Sequence, residues 1–155
     1  TGIRALGEFL GFSSERLDRG ANTGPDNVWR TDDGRIAVIS CKNEKRQSAV
    51  LSKRDLAQLY LDAKWIEERH PDLKQILIVA HPSAAKSEHL PTEGVWALTT
   101  NGLSALVGAT KVMAGELARS GGTPSELERK ARELLKKYDL TMDAIQRAFL
   151  VHFAG

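Results

Sequence analysis

The sequence predicts an α/β fold with a mixed central sheet of about four strands flanked by helices, and three observations carry that expectation. Leu56, Leu59, Tyr60, Ala63 and Ile66 recur at helical spacing and define one apolar face over 53–69. The run Ile76-Leu77-Ile78-Val79 suits a strand buried on both faces. Asp33-Gly34, the commonest hairpin turn pair, separates two stretches that read as strands.

In chain order, Ile3, Leu6, Phe9 and Leu10 predict a helix over 3–10, with Glu8 on a different side from Leu6 and Phe9. Residues 11–25, rich in Gly, Ser, Asp and Asn, read as a loop. Strands over 27–30 and 35–42 follow. Ser52 is a suitable N-cap for the helix over 53–69, which His70-Pro71 ends. Strands are expected over 75–80 and 95–98. A helix capped by Thr100 or Asn101 then reaches about Ala118, weakened by Gly108 and Gly115. After the break at Gly121-Gly122, Thr123-Pro124-Ser125-Glu126 combines a cap, a proline at the first helical position and a capping-box glutamate. That helix runs to about Tyr138, and Thr141 opens a last one through Phe153. Residues 1–120 are therefore expected to form the α/β core and 121–155 a C-terminal helical pair.

Composition narrows the function classes. A chain of 155 residues suits one hydrophobic core, and 41% hydrophobic with 27% charged residues is an ordinary globular balance. No apolar run approaches the ~20 residues that span a bilayer and no signal peptide is visible, so no membrane partner is expected. The single cysteine, Cys41, excludes an intrachain disulfide and a cysteine-based zinc site, and suits a reducing, cytoplasmic setting. A chain opening on Thr1 reads as part of a longer polypeptide with further domains. The formal net charge of +2 says little about partners. Its distribution says more: Lys42, Lys45, Arg46, Lys53 and Arg54 crowd into thirteen residues, a footprint suited to a phosphate backbone.

Alternate side chains on a strand point to opposite faces, so Ser40 and Lys42 share a face with Val38, while Ile39 and Cys41 point into the core. Glu44 would join them if the strand continued. A lysine closing an apolar strand calls for a partner, and the hairpin brings Asp26 towards the same end. Taken alone, Asp26 is also an ordinary turn residue and Lys42 an ordinary strand exit. Together, Gly24-Pro25-Asp26 and, fourteen residues after Asp26, Ser40-Cys41-Lys42 resemble the active-site signature of the PD-(D/E)XK nucleases, the restriction-endonuclease-like superfamily. The resemblance spans roughly residues 3–118.

That resemblance implies the restriction-endonuclease-like arrangement of the sheet, and hydrolysis of DNA phosphodiesters with Mg²⁺ or Mn²⁺. Carried over by position, Asp26 and the Cys41 backbone carbonyl would hold the metal, Lys42 would position the attacking water, and Glu8 would be an accessory ligand from the first helix. Gln58 and Lys53 would contact substrate or the outer shell, with Lys45, Arg46 and Arg54 beside the DNA backbone. Ser40 is the departure, because the signature has Asp or Glu there and a neutral hydroxyl is a poorer Mg²⁺ ligand. Glu44, Glu8 or Asp33 could supply the missing charge, Glu44 best by parity. A tolerated variant of an active nuclease, a natural loss of activity and an engineered change all stay open. So do two readings from other classes: a catalytically silent nucleic-acid-binding module and a protein-interaction domain. Cutting both strands of a duplex would call for two active sites, so a homodimer also stays open. His70, His81, His89 and His152 show no pairing at metal-ligand spacing, and no serine sits in a nucleophile elbow. Trp29, Trp65 and Trp96 read as packing residues.

Overall fold

The computed structural model describes residues 2–17, 24–42, 46 and 49–154. In chain order the elements are α1 (Gly2–Phe9), β1 (Ser13–Glu15), β2 (Asn27–Arg30), β3 (Arg35–Cys41), α2 (Lys53–Arg69), β4 (Lys74–Ala80), β5 (Val95–Leu98), α3 (Thr100–Ser120), α4 (Pro124–Lys137), α5 (Met142–Ala148) and β6 (Val151–His152). The strands form one mixed sheet in the order β1-β2-β3-β4-β5-β6. The pairs β3–β4 and β4–β5 are parallel and the others antiparallel.

The sheet therefore has six strands rather than about four. The two additional ones are both edges. Ser13–Glu15, within the expected loop, pairs with β2 through Ser14 opposite Trp29. Val151–His152, within the expected last helix, pairs with β5. Edge strands this short bury few side chains and leave no apolar alternation to read; main-chain hydrogen bonds alone define them. The last helix ends early, at Ala148, with Phe149 as its C-cap, whose N–H still donates to the Ile145 carbonyl at 2.9 Å.

The hairpin between β2 and β3 also differs from the two-residue turn that Asp33-Gly34 suggests. Thr31 N–H donates to the Arg35 carbonyl at 2.9 Å, so the loop is Asp32-Asp33-Gly34. Gly34 alone takes the left-handed conformation, at φ 83°. A three-residue loop of this kind needs one such position, whereas the two-residue turn needs two.

Helix starts follow local chemistry closely. The Ser52 hydroxyl accepts the Asp55 N–H at 3.2 Å while Asp55 Oδ2 accepts the Ser52 N–H at 2.9 Å, a reciprocal capping box that fixes the first turn of α2. Thr123 and Glu126 form the same box at α4. Thr99, one residue before the expected caps, starts α3 by accepting the Gly102 N–H.

Two apolar layers sandwich the sheet. Val28, Ile36, Val38, Val79 and Ala97 pack against Leu56, Leu59 and Ile66 of α2. On the opposite face, Trp29, Ile39, Ile78 and Leu98 pack against Ile3 of α1, Leu106 of α3, Leu134 of α4 and Ile145 of α5. The residues after 120 thus share this core and also supply β6. Gly7 permits the closest approach in that layer. A Cβ there would stand 2.2 Å from Nε1 of buried Trp29, whose N–H donates to the Ile3 carbonyl at 3.1 Å. Among the described residues, no helix is long and apolar enough to cross a membrane.

Candidate active site

The end of β3 brings together part of the set singled out by the sequence: Asp26, Ser40 and Lys42. Asp26 immediately precedes β2, and its Oδ2 accepts the Cys41 N–H at 2.7 Å. That bond ties the Gly24-Pro25-Asp26 turn to the last residue of β3. The turn is fixed from outside as well, since Leu17 N–H donates to the Pro25 carbonyl at 3.3 Å. Asn27 stands opposite Ile39, and continuing the register puts Asp26 beside Ser40 at the same sheet end.

Ser40 is 1% exposed, and its hydroxyl has no hydrogen-bond partner among the described residues. A buried hydroxyl left unpaired costs about 1–3 kcal/mol, so an orphan at this position calls for a water or ligand. Lys42 extends the β3–β4 pairing one residue beyond the strand, its N–H donating to the Ala80 carbonyl at 2.8 Å. Cys41 points the other way, as alternation requires, with Sγ accepting from Asn27 Nδ2 at 3.7 Å. Burial, reinforced by the negative charge of Asp26, pushes its thiol pKa up, so the side chain stays a neutral thiol at ordinary pH.

The structure adds a carboxylate that the sequence reading missed. Asp62 of α2 is 4% exposed, and Gln58 Nε2 donates to its Oδ1 at 3.1 Å. Burial holds the Asp62 carboxyl above its ordinary pKa, against the Gln58 hydrogen bond, which lowers it. The charge of Asp26 raises it further, and the Lys42 ammonium lowers it. The charges of Asp26, just before β2, and of Lys42, just past β3, thus both act on the Asp62 carboxyl of α2. Its trace in the sequence is an aspartate between Leu59 and Ile66, inside the apolar arc of the helix. The buried arc also takes in Asp55, while Tyr60, expected on that face, is 44% exposed.

The remaining candidates separate. Gln58 joins this region through Asp62. Glu8 lies on α1, which packs on the opposite face of the sheet, and its carboxylate accepts from Arg4 Nε and Nη2 at 3.0 and 2.9 Å. Asp33 sits in the hairpin loop at the far end of β3, about 20 Å of strand from Ser40, and is engaged by Arg35 and Thr31. Arg46, Lys53 and Arg54 are exposed. Glu44 and Lys45 lie outside the described residues. Trp29 is core, Trp65 packs under the Arg69 guanidinium at 3.8 Å, and Trp96 stacks on His152 at 4.1 Å between ring centres.

Among the described residues, no three His, Cys, Asp or Glu side chains gather in a metal-binding group. Mg²⁺ takes one or two carboxylates and completes its shell with water, so Asp26 and Asp62 are the carboxylates of this region to test as ligands. Comparison with protein-family models, with curated proteins and with solved structures finds no match to this chain.

Proposed function

We propose that this chain is a nuclease domain of the restriction-endonuclease-like kind, hydrolysing DNA phosphodiesters with Mg²⁺ or Mn²⁺. The single observation that supports this most is the Asp26 carboxylate fixed against the last residue of β3, with the charges of Asp26 and Lys42 both acting on the buried Asp62 carboxyl. Asp26 spends one oxygen on the Cys41 N–H, which aims the carboxylate and leaves its other oxygen for an ion. Asp62, held by Gln58, would supply the second negative charge that the signature carries at the Ser40 position. The Cys41 carbonyl is the proposed third protein ligand. A bound divalent cation would neutralise the scissile phosphate and make its water a stronger nucleophile.

The chain's own residues do the rest. Lys42 would hold the attacking water by a charged hydrogen bond and balance the two carboxylates before the ion arrives. The Ser40 hydroxyl, without charge, can donate to a water or a phosphate oxygen. Arg46, Lys53 and Arg54 would grip the backbone, so affinity should fall steeply with salt. Ser40 favours a second reading, a silent nucleic-acid-binding module of the same architecture, because the signature's own acid is absent.

Cleavage of DNA with Mg²⁺ and with Mn²⁺ tests both. The protein should cut, and Lys42→Ala and Asp62→Asn should each lose about 100-fold or more. Cutting only by Ser40→Glu would establish the silent module. If none of these proteins cuts, the enzymatic reading fails.

A further inference from the structure

Helix α2 has a second flank, facing away from Asp62 towards the connection between β4 and β5. There a concavity of about 550 Å³ opens between the first two turns of α2 and residues 87–91. Pockets for small organic groups occupy roughly 300–1,000 Å³. Buried Leu56 and Leu90, with Pro91, make its floor, and Tyr60 makes one wall. Lys53 and Ser87 also line it. Glu88 also borders it but pairs outward with His89 at 3.4 Å, both side chains about 90% exposed.

The walls are pinned in place. Leu51 N–H donates to the Ala85 carbonyl at 2.8 Å, and the Ser87 N–H and hydroxyl donate to the Leu51 carbonyl at 3.0 and 3.1 Å. Lys86 Nζ donates to the Leu90 carbonyl at 2.7 Å and to Thr92 Oγ1 at 3.3 Å, which keeps a second ammonium behind the floor. Leu51 belongs to the connection between β3 and α2, so the pocket is joined by hydrogen bonds to the segment that leaves the Lys42 end of the candidate site.

An aromatic wall, an aliphatic floor and the one lining ammonium, Lys53, suit a planar base carrying a phosphate. We infer that this pocket receives a single unpaired nucleotide of a DNA strand, its base against Tyr60 and Leu90 and its phosphate at Lys53. A base held in a duplex has neither face free, so the pocket selects single-stranded or frayed DNA. The strand's path to the cutting site rests on the nuclease reading above; the pocket itself does not.

The test is fluorescence-anisotropy binding in EDTA, where nothing is cut, using a short single-stranded oligonucleotide, its abasic counterpart, the matching duplex and the free mononucleotide. Tyr60→Ala, a substitution at a half-exposed side chain, should weaken single-strand binding by about 5–100-fold and leave duplex binding unchanged. Wild type should lose similarly on the abasic strand, and Tyr60→Ala should lose nothing more. Equal affinity for strand and duplex, indifferent to Tyr60→Ala, overturns the pocket while leaving any metal-dependent cleavage standing. The expected pattern in a protein that never cuts supports the pocket and removes the nuclease. A mononucleotide that saturates the Tyr60 site without competition from the strand also overturns it. Absence of DNA binding overturns the pocket, and the cleavage assay with Mg²⁺ then decides the nuclease reading separately.

Discussion

Gly24→Ala probes whether the Asp26 turn is held as tightly as its contacts indicate. A Cβ at residue 24 would stand 2.8 Å from the Leu17 carbonyl oxygen and 3.0 Å from the Leu17 Cβ. Ordinary contact begins near 3.4 Å, so the turn or the Leu17 backbone must move by about 0.6 Å, the gap between 2.8 and 3.4. The obstacle is main chain, which cannot rotate aside as a side-chain tip could. Overpacking of this kind costs about 1–3 kcal/mol. At this chain length that lowers Tm by about 3–10 °C. Asp26 lies two residues along the same turn, so the shift passes to its bond with the Cys41 N–H. A 1 Å misplacement of a catalytic group costs about 100-fold, and about 0.6 Å should cost on the order of 10-fold in cleavage rate. Cys41 amide exchange, read by NMR, should speed up in parallel and requires no activity at all. Unchanged exchange with cleavage within twofold of wild type would refute the claim that the Leu17 contact positions Asp26.

Asp62→Asn should stabilise the protein at neutral pH. The folded carboxyl titrates above its ordinary value of 3.8, chiefly because it is buried, so its stability contribution is fully present below 3.8 and is lost as pH rises through the raised value. The Tm advantage of the variant should therefore vanish in acid and grow towards pH 7; a pH-independent difference would contradict the burial argument. Added Mg²⁺ should raise the Tm of wild type and leave Asp62→Asn nearly unmoved, since binding to the native state alone stabilises it. Gly108→Ala in α3 serves as a contrast to Gly24. A Cβ there meets nothing within 4 Å, so the helix should gain about 1 kcal/mol, measurable as a higher urea midpoint without change in m.

Much of the framework is local and can be read locally. Ser52, Thr123 and Thr141 announce their helices because a side-chain oxygen reaches an N–H only a few residues away. The turn between Arg30 and Arg35 pairs its flanking strands by chain connectivity, which already brings Asp26 near Lys42. The buried run from Ile76 to Val79 declares a central strand because both faces of it are covered. The closeness of Asp26 to the end of β3 was legible for the same reason, since the hairpin joins the two strands and parity follows from the sequence.

What the tertiary structure decided depends on partners distant along the chain. The edges β1 and β6 exist because β2 and β5 offer unpaired main-chain groups, a fact no side chain in Ser13–Glu15 or Val151–His152 advertises. Glu8 was placed by the packing of α1 on the far face, where Arg4 engages it. Asp62 lies twenty residues beyond Lys42, and only the docking of α2 on the sheet buries it where the charges of Asp26 and Lys42 are felt. Local hydrogen bonds act over a few residues and leave a direct trace in sequence, whereas the setting of a carboxylate depends on the rigid-body docking of whole elements, to which the entire apolar face contributes.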